Sequence, residues 1–217
     1  MKATILVPSS LSDITLGQYK RFLKLQQDVE ETSPFFMQKM VEIFCNIDLK
    51  NVANIRYQSI VDIIKHINSL FDGESKFISK FKMHDIEYGF IPVLDDISLG
   101  EYIDLDTYIG DNSKLERVMA ILFRPITHSK DERYDVEPYN GTDSAEKYLD
   151  MPLDVVLGAF VFFYLLSNEL TKATLNCLEM EEVDLELQQV LEENGGGIKA
   201  YMHSLKEILQ DLNVSLN

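Results

Sequence analysis

Apolar positions recur at helical spacing along most of this chain, and the one stretch that is apolar on every side marks its centre. From Val155 to Leu166 no charged residue interrupts VVLGAFVFFYLL. A helix that is hydrophobic all round has to be buried, so Met151 to Leu178 predicts a core helix that the remaining elements cover. The run spans only about 18 Å at helical rise, against the roughly 30 Å of a bilayer core, and Asp154 and Glu169 bracket it. It therefore reads as a core helix and not as a membrane span.

Taken in order, Ala3 to Val7 is a strand candidate stopped by Pro8. In Asp13-Ile14-Thr15-Leu16-Gly17-Gln18-Tyr19, Thr15 caps a helix, Gln18 reaches back, and Ile14 staples onto Tyr19. Leu16, Tyr19, Phe22, Leu23 and Val29 face inward, with Lys20, Arg21 and Lys24 outside as a solvated face or, alternatively, a docking patch. Ser33-Pro34 starts a second helix whose apolar face runs from Phe35 to Phe44, and a polar joint covers Asp48 to Asn54. Ile60, Ile63, Ile64, Ile67 and Phe71 make the next stripe, closed by Gly73, with His66 at its boundary.

From Phe77 the period changes to two. A turn at His84-Asp85 sets Met83 against Ile86, Phe81 against Tyr88 and Ser79 against Phe90, which predicts a small antiparallel β-hairpin near 77–91. A lone hairpin is marginal in water, so it should pack on the helices or recruit Ala3 to Val7. Asp96-Ile97-Ser98-Leu99-Gly100-Glu101-Tyr102 then repeats the roles of Asp13 to Tyr19, either by duplication or because a good helix start was reached twice. Glu101, Asp104 and Asp106 follow on that helix; their spacing is not a metal loop, and acids in a first turn are what the helix dipole favours. Leu115, Val118, Met119 and Leu122 define a helix ending before Pro125, and Arg124 to Thr142 reads as a long irregular stretch. Within it Tyr134 and Tyr139 are candidate partner anchors, or aromatic residues folding the loop onto its own body. A short helix near Asp143 to Leu149 leads to Pro152.

Beyond Leu178 the pattern turns acidic: no basic residue occurs from Glu179 to Glu193, while Met180, Val183, Leu187 and Val190 recur at three- and four-residue spacing. After Gly195-Gly196-Gly197 a last amphipathic helix offers Tyr201, Leu205 and Ile208 as candidate contact residues. The pattern as a whole predicts a mainly α chain with a small hairpin, an α+β class. It divides into a helical body over 1–178, around the buried central helix, and an acidic helical hairpin or arm over 179–217.

Composition adds charge to this picture. An apolar content of 46% against 26% charged supports a packed globular body. Twenty basic and 36 acidic residues give a net charge of −16, which opposes direct binding to nucleic acid or to anionic membranes and is compatible with mere solubility or with a partner that has a basic surface. The opening MKATILVPSSL is no secretory leader, and Cys45 and Cys177 read as buried free thiols in a reducing cytoplasm. The sequence holds no Gly-rich phosphate loop, paired-histidine zinc motif, close cysteine pair or Gly-x-Ser-x-Gly elbow. The expectation is a non-enzymatic protein with no cofactor.

Tyr88-Gly89-Phe90-Ile91-Pro92, Gly100-Glu101-Tyr102-Ile103-Asp104-Leu105-Asp106, Met119-Ala120-Ile121-Leu122-Phe123-Arg124-Pro125-Ile126, Val136-Glu137-Pro138-Tyr139-Asn140-Gly141 and Leu157-Gly158-Ala159-Phe160-Val161-Phe162-Phe163 stand in this order. Together they resemble landmarks in uncharacterised proteins of tailed bacteriophages, over roughly residues 76–170. The resemblance implies a role in virion or tail and baseplate assembly, as an assembly chaperone or minor structural component. It implies contacts with other phage structural proteins, oligomerisation among them, in the host bacterial cytoplasm and/or the virion. An acidic DNA mimic or regulator binding a basic host or phage protein is the alternative, and it requires a continuous acidic stripe.

Overall fold

The computed structural model describes residues 5–94, 97–131 and 133–165. The chain is α+β: helices pack against a four-stranded antiparallel sheet. In order, α1 is Leu16–Asp28, α2 Pro34–Cys45, α3 Leu49–Val52 and α4 Tyr57–Phe71. The strands β1 (Lys80–Met83) and β2 (Ile86–Phe90) follow, then α5 (Leu99–Tyr108) and α6 (Leu115–Leu122). Next come β3 (Phe123–Lys130) and β4 (Arg133–Val136), a 3-10 turn at Ala145–Asp150, and a helix α7 over 153–165. The acidic segment 179–217 lies outside the described residues, as do Cys177 and the end of the central apolar run.

Local chemistry explains the helix starts. Thr15 Oγ1 accepts the Gln18 N–H at 3.2 Å while Gln18 Oε1 accepts the Thr15 N–H at 2.9 Å, a reciprocal cap. Ser33 accepts the Phe36 N–H, and Pro34 at the first helical position has no N–H to leave unpaired. Asn46 ends α2 in the left-handed conformation, where a side-chain amide is tolerated. Helix α4 buries Ile60 and Ile67, and His66 at its edge donates from Nε2 to the Pro8 carbonyl at 2.9 Å.

The sheet order is β1-β2-β3-β4. Met83 pairs with Ile86 and Phe81 with Tyr88 across the His84-Asp85 turn, the register the alternation predicts, and both turn residues take the positive φ that such a turn requires. The sheet is nevertheless larger than one hairpin. The stretch after Arg124, expected to be irregular, supplies β3 and β4, while residues 5–7 form no strand. Its polar faces and Pro125 hide β3; the proline is accommodated beside a register shift between Ile126 and His128. The joint after Asp48 likewise contains the short α3, and β1 starts at Lys80, later than Phe77.

One contiguous core runs from Ile14 to Phe163. Helix α7 contributes buried Leu153, Val155, Val156, Leu157, Ala159 and Phe160, while Leu165 is exposed. A Cβ on Gly158 would stand 2.2 Å from the Lys76 carbonyl, so the chain entering β1 lies directly on this helix. Phe77 then stacks on Phe162 and meets Phe90 edge-on, with centroids 4.5 and 4.9 Å apart. On the other side, α1 holds the chain leading into α7 by a single antiparallel bridge: Leu16 N–H donates to Met151 O and Leu153 N–H to Ile14 O, both at 2.9 Å. Cys45 is a buried free thiol, and desolvation pushes its pKa up to about 11, which keeps it in the unreactive protonated form. No helix among the described residues is long and apolar enough to cross a membrane.

Candidate functional site

Helix α5 buries an acid at its start, and the cause lies in its first turn. Ser98 Oγ accepts the Glu101 N–H at 3.3 Å, and Glu101 Oε2 takes the Ser98 N–H at 2.7 Å, so the capping box points the carboxylate toward the body. Glu101 is 5% exposed. Its Oε1 stands 2.8 Å from Arg124 Nη2 on β3, an ion pair off the line of a good hydrogen bond, and Arg124 Nε has no hydrogen-bond partner among the described residues. Two further contacts fasten the same helix: Asp104 accepts a hydrogen bond from the Tyr139 hydroxyl, and Arg117 lies over the Tyr108 ring while donating to Thr142 at 2.9 Å. Ile109 is buried, and Leu105 and Tyr108 pack partly against the core.

The opposite face of α5 carries Leu99, Tyr102 and Ile103, which are 74%, 56% and 52% exposed. A ten-residue helix with apolar residues on both faces has more apolar surface than this body covers. The comparison with α1 sharpens the point, because the matching residues Leu16 and Tyr19 are 0% and 2% exposed. The sequence signal was present, since positions 99, 102 and 103 form one stripe and 105, 108 and 109 another. Reading the acids alone drew attention away from it.

Tyr134 and Tyr139, candidate anchors or aromatic residues folding the loop onto its own body, both bond within the chain. Tyr134 is half-buried on β4, where its hydroxyl donates to the Phe90 carbonyl at 2.8 Å and its ring fills the space over Gly89, whose Cβ would come within 2.3 Å of it. Lys80 sits over the same ring at 4.5 Å. Tyr139, also half-buried, is tied to Asp104. Both aromatic residues thus make bonds within the chain, while Tyr201, Leu205 and Ile208 lie outside the described residues. Of the three cations on α1, Lys20 is not free in solvent: it pairs with Glu116 and donates to the Ser113 carbonyl at 2.7 Å.

On the 3-10 turn that packs against α6 and α1, Tyr148 donates to the Phe123 carbonyl at 2.6 Å and is 3% exposed. Burial first, then the neighbouring Tyr88, push its pKa well above the usual 10.0, against an opposite pull from Arg124 that outweighs the lesser push from Glu137. Tyr139 is shifted the same way by burial and by Asp104. Above the unfolded value the unfolded chain releases these protons and the folded chain keeps them, so stability is full below about pH 10 and falls as pH rises beyond it. Urea titrations at pH 8 and 11 are expected to show this loss. Tyr148→Phe should reduce its slope by up to about 1.4 kcal/mol per pH unit, at a cost of about 1 kcal/mol at neutral pH. An unchanged slope would mean that the hydroxyl is solvated.

Among the described residues no group of three or more histidine, cysteine, aspartate or glutamate side chains is placed to hold a metal ion. No protein-family model, curated protein or solved structure matches this chain.

Proposed function

We propose that this chain works through protein contacts, without chemistry of its own, in the virion or tail assembly of a tailed phage, as an assembly chaperone or minor structural component. The carrying observation is α5, which buries the Glu101 carboxylate and leaves Leu99, Tyr102 and Ile103 exposed on its other face. An apolar stripe that the body leaves uncovered, on a helix anchored beneath by an ion pair and two polar ties, is a rigid surface suited to a partner. The buried face of α7 supports the reading of a helical body assembled around that helix. The net charge of −16 suits a partner with a basic surface, in the host cytoplasm and/or the particle.

The test is recovery from infected cells. Assembly intermediates and mature particles are separated on a gradient and the chain is quantified in each fraction, for the parent and for Leu99→Glu/Ile103→Glu. The parent is expected at fixed stoichiometry with particles or with an unassembled tail subunit. The double variant should leave those fractions while its melting temperature stays within about 2 °C of the parent, since both residues are exposed. A double variant that travels as the parent does, or a parent found in neither fraction, would sink this reading.

A further inference from the structure

The first turns of α1 and α5 are the same device built twice, and among the described residues only that of α1 is filled. Each is entered through an i to i−3 turn: Ile14 N–H donates to Leu11 O at 3.2 Å, and Ile97 N–H to Leu94 O at 3.4 Å. Each cap residue is extended, Thr15 at φ −93, ψ 155 and Ser98 at φ −69, ψ 158, and each carries a reciprocal capping box. In each, the third helical residue also reaches into the body. Gln18 donates to the Ile43 and Phe44 carbonyls, and Glu101 pairs with Arg124.

What α1 does with this turn is visible. It holds the extended segment Met151-Pro152-Leu153, using the Leu16 N–H and the Ile14 carbonyl, with Pro152 paired opposite Thr15. Proline suits that place because the bridge asks for no N–H there. Gly17 lets the arriving backbone close in: a Cβ would meet the Leu149 carbonyl at 3.1 Å. In α5 the corresponding Leu99 N–H and Ile97 carbonyl bond to no described residue. A Cβ on Gly100 would find only its own neighbour Ser98 Oγ, 4.0 Å away. Glycine weakens a helix, and none of the described residues requires one at this position.

We propose that the first turn of α5 is a vacant docking socket for an extended apolar-Pro-apolar segment of another protein chain, flanked by basic residues. Leu99 N–H and the Ile97 carbonyl would form the bridge, Gly100 would admit the backbone, and Leu99 and Tyr102 would cover the apolar side chains. The basic flanks follow from charge: Asp106 is exposed one turn beyond Tyr102, and the chain carries −16. The copy of such a segment within this chain, 151–153, is already bound to α1, which turns the choice to a different protein. The inference rests on the protein-contact reading and names its ligand; the particle-recovery experiment tests that reading without any peptide.

The probe is a nine-residue peptide of residues 147–155 carrying Asp150→Lys and Asp154→Lys, titrated onto the full isotope-labelled chain and followed by amide chemical shifts. The largest shifts are expected at Leu99 and Gly100. Gly100→Leu, a good helix former placed in open space, should weaken binding by at least about tenfold while leaving the melting temperature unchanged or higher. The peptide with its native aspartates should bind severalfold more weakly. Absence of binding at millimolar peptide, equal affinity for Gly100→Leu, or shifts centred on Thr15 to Gly17 would each overturn the proposal. Self-association of the chain abolished by Leu99→Glu would overturn it too, by making a second copy the occupant.

Discussion

Gly158→Ala is expected to cost about 3 kcal/mol, lowering the melting temperature by roughly 6–12 °C for a chain of this size. Alanine is the better helix former by about 1 kcal/mol, so propensity alone predicts the opposite sign. Packing decides it. The new Cβ would lie 2.2 Å from the Lys76 carbonyl oxygen, 3.0 Å from its carbon and 3.3 Å from Phe77 Cα. All three are backbone atoms, so no side-chain rotation relieves the contact, and the segment entering β1 has to move. Moving it draws Phe77 off Phe162 and Phe90, which loosens an aromatic cluster as well as one contact. Gly100→Ala is the control, because its Cβ enters open space and should raise stability by up to about 1 kcal/mol. Thermal melts followed by circular dichroism check both; a Gly158→Ala chain that melts within about 2 °C of the parent would show that Lys76 does not lie on α7.

Features set by neighbouring residues were legible in the sequence. Both reciprocal caps, the Ser33-Pro34 start and the Met83 to Ile86 register depend on side chains within a few positions of one another. Features set by distant residues were not. β3 alternates weakly, because His128, Ser129 and Lys130 are polar on both faces, and it is a strand only because β2 and β4 flank it. The repeated motif was visible, yet its two copies differ in burial for reasons no local pattern contains. One meets Met151-Pro152-Leu153 and the other meets no described segment. Glu101 shows the same limit: its place in a first turn accounted for the acid, while its partner Arg124 is fixed by the packing of α5 over β3. Tyr134 and Tyr139 read equally as partner anchors or as aromatic residues folded onto the body, and their bonds to Phe90 and Asp104 are again set by distant residues.

The largest effect is expected at that ion pair. Arg124→Leu leaves the Glu101 carboxylate in a site where its side chain is 7% exposed, and removing one partner of a buried pair costs about 3–5 kcal/mol because the remaining charge is stranded. Glu101→Gln keeps the reciprocal cap and leaves an amide oxygen facing the Arg124 guanidinium, whose side chain is 12% exposed, so it should cost less, about 1–3 kcal/mol. Combining them separates the two causes. If the penalty of Arg124→Leu is a stranded carboxylate, Arg124→Leu/Glu101→Gln should be more stable than Arg124→Leu alone by at least about 1 kcal/mol, a non-additivity that a packing defect would not produce. Urea midpoints at neutral pH with unchanged slopes provide the measurement. Costs that add to within about 0.5 kcal/mol would mean that the pair is screened. The same cycle bears on function, because this pair holds α5 with its acid inward. Arg124→Leu leaves the Ser98 capping box in place but frees α5 from β3, and it should weaken partner binding without touching the binding face.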